Sequence, residues 1–141
     1  MTTNPVFNIK GQYIKDLSFE NPNAPQSLIA NGNPPKIEVN VELKAQKIQE
    51  NIYETTLYIT TRAIADNSTL FLVDLAYSGI FEIANVPPEH IEALVMIDCP
   101  FVLFPFARRV VADLTRDGGF PPLMLDPIDF QALYTKNRER V

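Results

Sequence analysis

Residues able to do covalent chemistry are sparse in this 141-residue chain, which has one cysteine, Cys99, and one histidine, His90. Two such residues are too few for a zinc site, and they give little support to a Cys/His nucleophile. Catalysis would rest on carboxylates. Asp98 and Asp113 fall on a helical stretch with no nucleophile or metal set beside them. Asp16 and Glu20 fall on one face of a strand, about 13 Å apart if it is regular, too far to share a proton. No glycine-rich phosphate loop with a lysine is present, so ATP hydrolysis is not expected. The sequence thus predicts no enzyme, metal or cofactor, and a minor alternative is a small-ligand carrier or enzyme around Asp98 and Asp113.

What remains is binding. The net charge of −5 disfavours nucleic acid and anionic membrane surfaces and points to a basic or apolar partner. A hydrophobic content of 46% fits one domain over residues 1–141, with polar ends at 1–6 and 136–141 expected to be loose. No run approaches the roughly 18 apolar residues of a membrane span, and no basic-then-apolar leader opens the chain. A cytoplasmic protein with a buried Cys99 is the expectation.

The elements that must position a binding surface begin with four strands. Phe7 to Glu20 puts Phe7, Ile9, Tyr13, Leu17 and Phe19 on one parity and Asp16, Ser18 and Glu20 on the other, with Gly11 as a candidate bulge. Asn21 to Pro35 is a proline-rich crossover, pinned by Leu28 and Ile29. Lys36 to Lys44 alternates without a break, Ile52 to Ala63 resumes after a turn, and Asp66-Asn67-Ser68 leads into Leu70 to Ile83. In that last strand Leu70, Leu72 and Ala76 make the second face partly apolar, so both faces want cover and a second subunit would supply it.

A helix is expected over Val86 to Asp98, and another over the stretch after Cys99, where Phe104, Ala107, Val111 and Leu114 keep helical spacing. Pro105 restarts or kinks that helix, and Gly118 with Gly119 ends it. Phe120 to Leu125 reads as an apolar loop, and a short helix follows with Asp126 as N-cap and Phe130, Leu133 and Tyr134 as its apolar stripe. The fold class is α+β, a four-stranded antiparallel sheet with one long kinked helix and one short helix.

Four separated stretches carry a resemblance: Lys15 to Pro25, Gly79-Ile80-Phe81, Cys99-Pro100 with Leu103 to Arg108, and Gly119 to Leu123 with Asp126 to Phe130. In that order, across about Phe7 to Tyr134, they resemble the SecB family of bacterial protein-export chaperones. The resemblance implies a homotetramer, a dimer of dimers, that holds unfolded precursor proteins and delivers them to the SecA motor ATPase. By the same resemblance, Asp16, Glu20, Leu72 and Asp74 match positions that contact SecA, with Asp74 replacing a more usual Glu. Val73, Leu75 and Tyr77 match positions at the contact between dimers. Ser78 stands where glycine is common, and the basic 136–141 tail is shorter than in many relatives.

Such a chaperone needs adaptable apolar surface, which aromatic residues and Met provide while prolines discourage strand pairing. The groove candidates are Phe101, Leu103, Phe104, Phe120, Leu123, Met124, Leu125, Phe130 and Leu133, each of which suits a packed core as well as a client surface. An alternative client is a single toxin–antitoxin pair.

Overall fold

The computed structural model describes residues 4–29 and 34–139, with side chains through residue 136. The expected loose ends therefore lie partly outside the described residues. Four strands, β1 (Val6–Glu20), β2 (Lys36–Gln49), β3 (Ile52–Ala65) and β4 (Ser68–Ala84), form one antiparallel sheet in the order β1-β4-β3-β2. A short helix, α1 (Gln26–Ile29), sits in the crossover. The Asp66-Asn67 turn has positive φ at both central residues, the twist that suits a two-residue hairpin.

Helices cover one face only. Helix α2 (Pro88–Ala93), a π turn (Leu94–Asp98) and α3 (Cys99–Asp117) run as one 30-residue helix, and α4 (Phe130–Glu139) packs on the π turn. The long helix starts at Pro88, not Val86, and passes through Pro105 without restarting. Its break from α geometry lies earlier. Pro100 has no amide for the carbonyl one turn back, and just ahead of it the Cys99 amide reaches the Leu94 carbonyl in a widened turn. That leaves the Val95 carbonyl free, and the Thr55 hydroxyl donates to it at 2.8 Å. One side chain of β3 thereby fixes the long helix on the sheet.

The helix ends as its glycines predict. Gly119 has φ 94°, the Gly119 amide bonds to the Arg116 carbonyl, and the Phe120 amide bonds to the Thr115 carbonyl, a Schellman arrangement. The buried Thr115 hydroxyl then accepts the Leu123 amide at 2.9 Å, tying the apolar loop to the helix end. Helix α4 is capped by Asp129, whose carboxylate accepts the Ala132 amide at 3.0 Å. The expected cap at Asp126 is corrected, because the backbone does not turn helical until Phe130.

Between sheet and helices lies the core, with Leu57, Ile59, Val73, Phe81, Leu103 and Val111 fully buried. Gly79 is required there, since a Cβ would come within 2.7 Å of Leu103. Two expectations about surfaces are corrected. Ile29 is 72% exposed and pins nothing, whereas Leu28 rests against Gly119. The outer sheet face is not an apolar face awaiting cover: Ala76 and Ser78 are already buried there, and Leu70 is drawn to the edge of the core. The helix Pro88–Asp117 is, against expectation, long and apolar enough by length and composition to cross a membrane, with 33% of its most apolar window buried in the protein. Taken alone, one such helix is weak ground for a membrane span.

Candidate functional site

Strand β1 does not keep one parity. Its pairing with β4 shifts between Ile9 and Gly11 and again between Ile14 and Asp16, so Lys10 and Lys15 are extra residues. The first bulge, beside the suspected Gly11, turns Tyr13 outward opposite Ser78, correcting its expected place among the inward residues. The second bulge restores the pattern. Leu17 and Phe19 then face the helices opposite Leu75 and Val73, while Asp16 and Glu20 lie outward opposite Ala76 and Leu72.

The outer face thus gathers all four carried-over docking positions. Asp16, Glu20 and Asp74 are exposed and Leu72 is half-buried, with Ser18 directly opposite Asp74. Asp74 also accepts the Thr60 hydroxyl at 2.8 Å. Arg62, in register with Leu72, is engaged by Glu38 at 3.7 Å. The resulting patch is flat and acidic, with one apolar residue in it.

Next to it is a polar cluster that the sequence reading did not single out. Glu54 on β3 is 7% exposed, and its carboxylate accepts from the Tyr13 hydroxyl, from Lys15 Nζ at 3.1 Å and from Gln46 Nε2 at 2.9 Å. Burial pushes the Glu54 carboxyl up, but the bonds from Tyr13, Gln46 and Lys15 and the lysine charge outweigh it and hold the group below its ordinary value. Burial, with the adjacent carboxylate, pushes the Tyr13 phenol up to about 12. Ser78 lies beneath, bonded to Thr56 at 2.8 Å. No local pattern marks Glu54, since its partners lie 41, 39 and 8 residues away.

The groove candidates divide. Leu103, Phe104, Leu125 and Phe130 are core residues, at most 6% exposed, with Phe104 edge-on to Phe130 at 6.0 Å; as client-facing residues they are corrected, because the helix packing encloses them. Phe120, Leu123 and Leu133 are half-buried, and Phe101 and Met124 are 69% and 61% exposed. They do not share one groove. Phe101 lines a cleft of about 670 Å³ with Val6, Phe7, His90 and Leu94, whereas Phe120 lines a separate hollow of about 520 Å³ with Ser27, Leu70 and Pro121. Phe120 also packs tilted against Phe71 at 5.1 Å, and Phe71 stacks on Phe19 at 6.3 Å.

Val73, Leu75 and Tyr77 lie on the helix face, already buried within one chain. Where β1 ends, the Asn21 amide donates to the Gly118 carbonyl at 3.0 Å and Phe19 fills the space a side chain at Gly118 would need.

Among the described residues, the candidate reactive groups do not come together. Asp98 and Asp113 stand about 22 Å apart along the long helix, and Asp113 is paired with Arg116 at 3.1 Å. Burial pushes the Cys99 thiol up to about 12, which keeps it unreactive. No group of His, Cys, Asp or Glu suited to a metal occurs among the described residues.

Comparison with known proteins agrees with this geometry. The family model described as preprotein translocase subunit SecB matches residues 1–141. Proteins named protein-export protein SecB from Bradyrhizobium sp., Rhodopseudomonas palustris and Nitrobacter winogradskyi are 51%, 52% and 52% identical to it. Each alignment covers 96% of this chain, and 84%, 87% and 86% of the relatives respectively. The solved SecB-like chaperone of Mycobacterium tuberculosis, in complex with a ChAD peptide from the HigA1 antitoxin, has the same fold. Its TM-score is 0.72 at 16% identity, over 86% of this chain and 90% of that one. With a sheet covered by helices on one face, an acidic outer patch and apolar hollows, this chain belongs to the SecB family of protein-export chaperones, which are not enzymes.

Proposed function

We propose that this chaperone, acting in the cytoplasm, keeps unfolded precursors translocation-competent without ATP and passes them to the SecA motor through the outer face of its sheet. The observation that carries the reading is the common exposure of Asp16, Glu20 and Asp74 around Leu72 on that face. A flat acidic patch attracts a basic partner segment, and its single apolar residue adds contact area.

Clients would bind by apolar burial along the hollows that Phe101 and Phe120 line, with exposed Met124 and half-buried Leu123 and Leu133 as further apolar contacts outside both linings. Adaptable aromatic and Met side chains suit varied sequences. Assembly as a dimer of dimers is supported by the long helix, only a third of whose apolar window is fully buried in one chain and which carries Phe101 and Phe106 exposed. Since Val73, Leu75 and Tyr77 are already buried, they would act in that contact as the floor beneath the helix layer.

The protein should slow refolding of a denatured export precursor in the absence of nucleotide. Asp16→Ala combined with Glu20→Ala should leave that holding intact and abolish SecA binding; unchanged SecA affinity would remove the docking assignment. The protein should also sediment as four copies of the 15.9 kDa chain, and a stable monomer at micromolar concentration would contradict the assembly. A chaperone dedicated to one toxin–antitoxin pair draws only on a fold likeness at 16% identity. It would be preferred if exported precursors were ignored and one antitoxin segment bound.

A further inference from the structure

We infer that Glu54 is a positioning residue for the docking edge: its buried carboxylate grips Tyr13 and Lys15, the residues on either side of Ile14, and so fixes the bulge that turns Asp16 and Glu20 outward. The inference rests on the reading of that edge as the SecA patch.

Within one chain, among the described residues, strand β1 lies at the sheet margin and is hydrogen-bonded to β4 alone. Side chains alternate along a strand, so losing or gaining one residue of register exchanges its two faces. Without the extra residue at Lys15, the pairing of Ile14 with Tyr77 would continue with Asp16 opposite Leu75, on the helix face, and Leu17 opposite Asp74. The docking carboxylates and the core residues would trade places. Packing of Leu17 and Phe19 against the core requires only that the parity has changed by residue 17. It does not say where.

Glu54 does say where. Tyr13 precedes the bulge and Lys15 is its extra residue, and both reach past β4 to the same carboxylate, about 10 Å away on the second strand over. Gln46 from β2 holds the carboxylate from the far side at 2.9 Å, so Glu54 cannot swing to follow a slipped strand without losing a bond. Small, buried Ser78 lies opposite Tyr13 and leaves the crossing clear. Glu54 itself is only 7% exposed, so its effect on the edge runs through Tyr13 and Lys15.

The test measures SecA affinity, nucleotide-free holding of a denatured precursor and residue-level amide exchange in the full chain. Glu54→Gln, which loses the ionic bond to Lys15, should weaken SecA binding about tenfold, in the range of one charged hydrogen bond. Holding should be unchanged, and exchange should accelerate over Lys15 to Glu20 while β3 stays protected. Tyr13→Phe, the milder variant, should move the same two readings by about threefold and decides the matter if Glu54→Gln does not fold. Wild-type affinity and exchange in either folded variant, with binding lost in Asp16→Ala/Glu20→Ala, would overturn the inference and leave the docking assignment standing. Joint loss of binding, holding and protection throughout the sheet would overturn it as well, as the mark of a general structural role. SecA binding that survives Asp16→Ala/Glu20→Ala sinks the docking assignment itself, and the positioning role with it.

Discussion

The two faces of the sheet exclude water by opposite chemistry. On the helix face, Leu57, Ile59, Val73 and Phe81 are shielded by side chains of the long helix, and a strand-to-helix hydrogen bond there, from Thr55 to the π turn, fills a gap left by an altered helix geometry. On the outer face, Ser78, Thr56 and Glu54 are as well hidden, yet what covers them is other polar side chains bonded to them. The first face gains from removing apolar area, the second from pairing every group it desolvates. A face built the second way can remain uncovered, which a docking surface needs.

Removing contacts from each face should separate these modes. Leu103→Ala, which empties a fully buried site over Gly79, should cost about 2–5 kcal/mol in chemical denaturation, the largest effect expected. Thr55→Val keeps the shape and removes one hydrogen bond, leaving the Val95 carbonyl unsatisfied; about 1–3 kcal/mol is expected by the same measurement. The smallest effect should come from pH. Glu54 is held below its ordinary value of 4.5, so its contribution is complete above that pH and fades as the solution is acidified through the lowered value. Tyr13 works in the other direction: its share is complete below 10.0 and is lost as pH rises to about 12. Denaturation midpoints followed across both limits should respond in the wild type and lose the acid limb's Glu54 component in Glu54→Gln. A flat profile would mean that the outer face is held by packing after all.

Much of the helix face was legible in the sequence because it obeys short-range rules. Ile37, Val39, Val41 and Leu43 alternate against charges, and Gly118-Gly119 stops a helix wherever it falls. The outward placement of Asp16 and Glu20 was legible by a parity count that holds only because both follow the second bulge. The same count misplaced Tyr13, which lies between the bulges. Asp126 and Asp129 are equal as cap candidates by type, and residue type does not say that the backbone stays non-helical until Phe130, which makes Asp129 the cap. The π turn and the Glu54 cluster depend on partners from distant strands, and the groove list mixed core with surface because Phe104 and Phe101 differ in orientation, not in kind.

One bond noted above joins the two working regions. Asn21 follows Glu20, the last carboxylate of the proposed docking edge, and the Gly118 carbonyl it holds belongs to the pair of glycines from which the greasy loop departs. Motor and cargo would therefore grip opposite sides of the same knot, and a tug on the acidic margin would need to travel only a single hydrogen bond to be felt where the passenger is seated.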